Sequence, residues 1–256
     1  MQARIEHELA ALQGSSACVV MRMDNGIPVE LVSINPTSVF PAASLAKVPI
    51  LVEVARQVEL GLLDWQTHYS VSDAARVASD GVIADLSPEL RPTLRDLAHL
   101  MITISDNTAS NMLLDLVGMD AVNATMQKLG LNSTRLERRF IDFEARRAGH
   151  DNWTSAGDMA LLFSLFCTEQ LPGKEILLQI LLRQNDYTLL PAYWGEDTAF
   201  AHKTGGLEGI LHDAGILYPP TDPTCPLVIA AMTANQPDGP LTRLILARIG
   251  RIIYHR

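Results

Sequence analysis

Basic residues are scarce in this chain. Twenty Lys and Arg face 29 Asp and Glu over 256 residues, a net charge of −9. Phosphate backbones need clustered cations, so nucleic acid is excluded as a partner. The Arg146-Arg147 pair is too short to form a patch and reads as a solvated loop face. Cysteines number three, at 18, 167 and 225. An odd count at such spacing excludes a disulfide framework and a zinc pattern. Each lies in an apolar stretch and is expected to be a buried, inert thiol. Also missing are paired histidines at metal spacing, an H-E-x-x-H helix and a G-x-S-x-G elbow, which removes zinc hydrolases and elbow-type serine hydrolases. No metal or other cofactor is expected. No apolar run is long enough to span a bilayer, so no membrane partner is expected. Residues 1–13 are charged and helical in pattern and lack the features of a secretory signal. The address expected from the sequence as it stands is cytoplasmic, or periplasmic or secreted if a leader has been removed.

What remains is an ordinary globular composition, 48% hydrophobic and 19% charged, long enough for one large domain or two intimate lobes. Cys18 to Met23 and Val29 to Ile34 flank Asn25-Gly26, the strongest short hairpin signal. From about Pro41 to about Leu190 the apolar spacing is helical. Lys47 to Leu60 stops at Gly61. Leu94, Leu97, Ala98, Met101 and Ile104 form a stripe behind Thr93 and Asp96, a capping-box variant. Asn111–Val117, Ala121–Leu129 and Ala156–Phe166 continue the helical run. Strands return at Thr198–Lys203, His212–Leu217 and Leu227–Thr233, and Leu241–Tyr254 closes as an amphipathic helix with its arginines toward solvent. Two hairpin strands cannot bury a face alone, so both ends of the chain should complete one antiparallel sheet. The expected fold is α/β of the α+β type. A sheet of about five strands, flanked by the terminal helices, is formed by residues 1–40 with 195–256, and residues 41–194 insert as an all-α lobe. The cleft between lobes is the natural place for a site.

Three short motifs fall in one order along this layout. Ser44-Leu45-Ala46-Lys47 reads S-x-x-K, Ser105-Asp106-Asn107 reads S-D-N, and Lys203-Thr204-Gly205 reads K-T-G. With four lysines and fourteen serines, S-x-x-K alone is expected about 0.2 times by chance, and the ordered set on the order of once in ten thousand chains. A serine hydroxyl needs a base to act as a nucleophile at neutral pH, and positions i and i+3 share a helix face. Ser44 should therefore look at Lys47, which becomes a base if burial beside another cation lowers its pKa. Backbone N–H groups at the helix start can stabilise an oxyanion. Each motif also has an ordinary reading. Ser44 and Ser105-Asp106-Asn107 could be helix caps, and Lys203 could be a solvent-facing lysine at a strand end.

Taken with Phe40-Pro41-Ala42-Ala43 before Ser44, Thr108-Ala109 after S-D-N, Leu129-Gly130-Leu131, Thr134-Arg135-Leu136 and the Thr154-Ser155-Ala156 helix entry, the set resembles the class A β-lactamase and penicillin-binding-protein superfamily over nearly the whole chain. That resemblance implies the same fold and a serine hydrolase working through an acyl-enzyme. It makes Ser44 the nucleophile, Lys47 a proton acceptor, and Ser105 the relay to the leaving nitrogen. Asn107 would hold the substrate amide and Lys203 and Thr204 its carboxylate. The N–H groups of Ser44 and Gly206 would form the oxyanion hole, with Gly205 and Gly206 admitting the ligand closely.

The sequence also departs from the family pattern. Class A β-lactamases carry a deacylating glutamate in an E-x-x-L-N stretch after T-R-L. Here the register places Phe140 there, with Asp142 and Glu144 as the nearby acids if the loop runs differently. The family's loop-closing arginine–aspartate pair would become Arg138 and Asn152, an uncharged partner. No arginine lies between 183 and 243, so a carboxylate-binding arginine on the next strand is missing, and His212 reads as a core histidine. The expected activity is on β-lactams, as a monomer acting on a small molecule, with slow deacylation. An esterase, amidase or D-aminoacyl peptidase on another small substrate is the alternative, as is an acylated sensor without turnover.

Overall fold

The hairpin signal is where the sheet begins in the computed structural model, which describes residues 1–72, 75–168 and 170–256. Asn25 and Gly26 both take positive φ, 52° and 79°, the twist that joins two strands in a two-residue turn. The turn links β1 (Ser15–Asp24) to β2 (Ile27–Ile34). The late strands are β5 (Ala199–Leu207), β6 (Ile210–Tyr218) and β7 (Leu227–Ala234). Every pairing is antiparallel, in the order β2-β1-β7-β6-β5. Beginning and end of the chain thus meet at β1 and β7, and β5 is an edge strand.

Side chains alternate across the sheet. Cys18, Val20, Phe200, Leu217 and Ile229 face α1 (Gln2–Leu9) and α9 (Gly239–Tyr254). Ala17, Val19, Ala201, Ala214 and Ala230 face the other way, into a core continuous with the helices between the strands. Those helices are α2 (Lys47–Glu59), α3 (Leu94–Thr103), α4 (Asn107–Val117), α5 (Met119–Lys128), α6 (Phe143–Arg147), α7 (Ala156–Phe166) and α8 (Lys174–Leu181). With α1 and α9 they make nine α-helices among the described residues. The Thr93–Asp96 capping box starts α3, and Gly61 at φ 69° stops the chain after α2.

Several elements differ from the sequence expectation. The stretch 41–194, expected to be wholly helical, holds β4 (Trp153–Ser155), which pairs with β3 (Val39–Pro41). Three residues are too few to leave a periodic signal. The K-T-G motif does not end its strand. Gly205 and Gly206 still pair with His212 and Leu211, and the turn comes later, at Glu208 and Gly209. Helix α4 starts four residues earlier than its apolar pattern, because Asp106 caps it by accepting from Ala109 N–H at 2.8 Å. Of the cysteines, only Cys18 is buried; Cys167 and Cys225 are half-buried. Among the described residues no helix is long and apolar enough to cross a membrane.

Candidate active site

Ser44 sits in a 3₁₀ turn (Ala43–Ala46) that leads into α2. The turn is entered through Ala43 at φ 48°, and Ser105 is at φ 60°. Both are left-handed conformations that cost a non-glycine residue about 1 kcal/mol or more and are kept where the surroundings over-determine them. The position of the turn is fixed from the sheet. His212 Nε2 donates to the Pro41 carbonyl (2.9 Å), while its Nδ1 accepts from Thr233 N–H (3.2 Å). Nδ1 also lies 3.0 Å from the Leu211 carbonyl; burial outweighs both carbonyl contacts and pushes the His212 pKa down to about 4. Gly205 closes the turn from the other side. A Cβ there would lie 3.3 Å from the Ala42 carbonyl oxygen, Ala43 Cβ and Leu45 N.

The three motif heads converge. Ser105 Oγ lies 2.9 Å from Ser44 Oγ and 2.9 Å from Lys47 Nζ. Lys47 Nζ also donates to the Ser105 carbonyl (2.6 Å) and to Asn107 Oδ1 (2.8 Å). Among the described residues the hydrogen bonds join Ser44 to Lys47 through Ser105 and not directly, which the i, i+3 spacing did not reveal. Lys47 is fully buried, and its pKa is held well below the lysine range by burial and then by Lys203, with Asp106 and Asp80 opposing. Two of its three partners, the Ser105 carbonyl and Asn107 Oδ1, can only accept. A neutral amine has two N–H bonds for these and one lone pair left, which faces Ser105 Oγ. Deprotonation of Lys47 therefore reverses the polarity of the chain, so that Ser44 donates to Ser105 and Ser105 donates to Lys47.

Asp106, the middle residue of S-D-N, takes no part in this chain. Its second carboxylate oxygen accepts from Val82 and Ile83 N–H (2.7 and 2.9 Å) and holds the 79–83 loop against α4. Gly81, at φ 115°, is required there, since a Cβ would meet the Asp106 carboxylate at 2.4 Å. The loop brings Asp80 to the cleft and Ser79 to Asn107 Nδ2 (2.9 Å).

Ser44, Ser105, Thr204, Gly205 and Gly206 all line a cleft of about 430 Å³. Lys203 is fully buried behind it, with its pKa lowered to about 8 by burial against the opposing charges of Asp186, Asp213 and Asp80. The cleft also contains Asp80, Asp186 and Arg243. Burial works to raise the Asp186 pKa. Bonds from Thr188, the charge of Arg243 and the Thr204 hydroxyl together outweigh it and hold the carboxylate ionised. Arg243 in turn donates to Thr188 Oγ1. Behind Thr204, buried His202 meets Asp213 at 2.8 Å. Among the described residues no group of three metal-ligating side chains gathers.

Phe140 packs its ring beside Lys47, with Lys47 Nζ 4.9 Å from the ring centroid. Its backbone is clamped by Asn111, which accepts from Phe140 N–H (2.9 Å) and donates to its carbonyl (3.1 Å). The nearby acids point elsewhere. Asp142 caps α6 through Ala145 N–H, and the Glu144 side chain is 88% exposed beside Arg147. One expectation is corrected. The loop does keep a closing ion pair, because Arg138 reaches Asp151 (2.7 Å) with both side chains less than a tenth exposed, and Arg146 joins at 3.3 Å. Asn152, the partner expected from the register, turns its Oδ1 to Glu137 and Arg138 N–H instead.

A sequence profile described as the beta-lactamase enzyme family matches residues 1–256. The chain belongs to this family. Beta-lactamase AST-1 of Nocardia asteroides is 29% identical over 224 residues, which are 84% of this chain and 71% of that protein. A beta-lactamase structure from Sphaerobacter thermophilus superposes with a TM-score of 0.87 at 29% identity, covering 98% of this chain and 95% of the other. A mutant of PBP-A, solved as an acyl-enzyme complex with penicillin G, gives 0.88 at 28% identity, covering 99% and 94%.

Beside the beta-lactamase motifs, sequence reasoning missed three charged cleft residues, Asp80, Asp186 and Arg243. Asp80 belongs to no motif, and only the positive φ of Gly81 and its packing against Asp106 bring it in. Arg243 read as one of three solvent-facing arginines on the last helix. It is exposed, but it lies over the cleft because α9 packs across the sheet beside β6.

Proposed function

We propose that this chain is a β-lactam-reactive serine hydrolase that acylates at Ser44 and deacylates slowly. The observation that carries the reading is the Ser44–Ser105–Lys47 hydrogen-bond chain ending on a buried, pKa-depressed amine. In it, neutral Lys47 accepts the Ser44 proton through Ser105 as Oγ attacks the lactam carbonyl. Ser105 then delivers a proton to the departing nitrogen. The N–H groups of Ser44 and Gly206 are assigned to the oxyanion, Asn107 to the acyl amide, and Thr204 with Lys203 to the carboxylate. Slow deacylation follows from Phe140, which occupies the loop position facing Lys47 and can neither orient nor deprotonate water. We further assign residues 1–40 with 195–256 to one lobe and 41–194 to the other, the cleft lying where β5 meets the Ser44 turn and α4.

The test is to mix the protein with a chromogenic cephalosporin and follow hydrolysis and intact mass together. A burst of about one equivalent, an acyl adduct in the mass spectrum and slow turnover are expected, all lost in Ser44→Ala. Fast hydrolysis without a burst, abolished by Glu144→Gln or Asp142→Asn, would overturn the assignment of the loop.

A further inference from the structure

Arginines in this chain mostly end on a defined partner. Arg22, Arg56 and Arg138 reach carboxylates, and Arg76 donates to the carbonyls of Ile83, Ala84, Leu86 and Ser87. The Arg95 and Arg183 side chains do not. Both are exposed, and among the described residues neither guanidinium has a hydrogen bond or ion pair. They line one cavity of about 670 Å³, together with His99, Gln179, Ile180 and Leu182. None of these residues lines the catalytic cleft.

The cavity lies where α8 packs on α3. Arg95 and His99 are four residues apart on α3, so they share a face. Gln179 and Arg183 are likewise four apart, on α8 and just beyond its end. No carboxylate belongs to the described wall. Asp96, the acid next to Arg95 in sequence, accepts from the Thr93 N–H and hydroxyl (2.9 and 2.7 Å) in the α3 capping box. Partial burial lowers the His99 pKa, and the charges of Arg183 and then Arg95 lower it further, with Asp96 opposing. The ring therefore stands within electrostatic reach of both guanidiniums, and they oppose its protonation. An anion in the cavity reverses that balance.

We propose that the α3–α8 cavity is a binding site for a diphosphate group, with one phosphoryl end on Arg95, the other on Arg183, and His99 as a further donor. A planar guanidinium is a two-pronged donor that matches two oxygens of a phosphoryl group. Two such forks, with no carboxylate in the wall between them, select a ligand with two anionic ends. The cavity exceeds many times the roughly 30 Å³ that one water molecule occupies, so it has room for both ends. A polynucleotide is disfavoured, because its backbone needs a run of cations and this chain carries a net charge of −9. The site does not depend on the reading of Ser44.

The experiment follows the histidine Hε1 resonances of the full chain by NMR at constant ionic strength. Pyrophosphate at pH 7 should shift the His99 signal saturably. Arg95→Ala and Arg183→Ala should each weaken binding by roughly tenfold, and both side chains are exposed, so the variants keep the fold. Methanedisulfonate, whose two charges are constant between pH 5 and 8, should raise the His99 titration midpoint. By linkage it should bind more tightly at pH 5 than at pH 8, a difference that His99→Gln removes. ADP identifies the source of the diphosphate, and either result supports the site: binding tighter than pyrophosphate marks a nucleotide, weaker binding marks free diphosphate. No saturable shift with pyrophosphate overturns the proposal. So does an unchanged affinity in the Arg95→Ala, Arg183→Ala double variant, or an equal effect of chloride at the same concentration, which would be screening alone.

Discussion

Replacing Phe140 with glutamate is expected to turn a burst followed by slow turnover into sustained hydrolysis. Asn111 clamps the backbone of residue 140 on both sides, so the new side chain leaves the backbone from the same place as the ring it replaces. The ring centroid is 4.9 Å from Lys47 Nζ. A carboxylate at about that distance attracts an ammonium by roughly 3 kcal/mol at an effective dielectric of about 20. That pushes the Lys47 pKa back up and should slow acylation at neutral pH. Deacylation moves the other way, since supplying a general base typically contributes about 10²- to 10⁴-fold. Loss of the 7%-exposed ring removes apolar contacts worth about 3 kcal/mol, which a chain of this length registers as a Tm drop of roughly 6–12 °C. Stopped-flow hydrolysis of a chromogenic cephalosporin reads both phases, intact mass reads adduct occupancy, and calorimetry reports folding. Phe140→Ala should lower Tm without speeding the slow phase. A folded Phe140→Glu protein that keeps its one-equivalent burst and its wild-type slow rate would refute the reasoning.

Lys47 should act as a base at neutral pH, because its folded pKa is depressed; the acylation rate should hold near pH 7 and fall on acidification, whereas a rate climbing only above about pH 10 would make it an ordinary cation. His212 should oppose acid stability. Its folded pKa of about 4 lies below the unfolded value of about 6.5, so the unfolded chain takes up the proton first. About 3 kcal/mol of stability should be present above pH 6.5 and lost as pH falls to 4, giving wild type a steeper Tm decline over that window than His212→Gln. Asp151→Asn should cost about 3–5 kcal/mol by leaving buried Arg138 without its charge partner, and an unchanged Tm would mean that Arg146 and backbone carbonyls suffice. Gly205→Ala should slow penicillin labelling by roughly tenfold, because its Cβ must displace the Ser44 turn, and labelling at the wild-type rate would show that the turn gives way freely.

The sequence alone determined the layout and marked the motif heads as candidates. Hairpin signal, helical middle and returning strands are local patterns, and local periodicity sufficed to place β1, β2, β5 to β7 and most helices. The ordered S-x-x-K, S-D-N and K-T-G motifs likewise singled out Ser44, Lys47, Ser105 and Lys203 as candidates, because each motif is a short fixed spacing along the chain. Only the tertiary structure decided how they connect. Lys47 meets Ser44 through Ser105, a residue 61 positions away, and its depressed pKa comes first from burial, which no spacing records. The loop's closing pair shifted from Asn152 to Asp151 because side-chain direction, not register, chooses which neighbour takes the guanidinium. Asp80 and Arg243 reached the cleft through packing of a loop on Asp106 and of α9 on the sheet. Both are contacts between distant segments, and their energies are set by where whole elements lie.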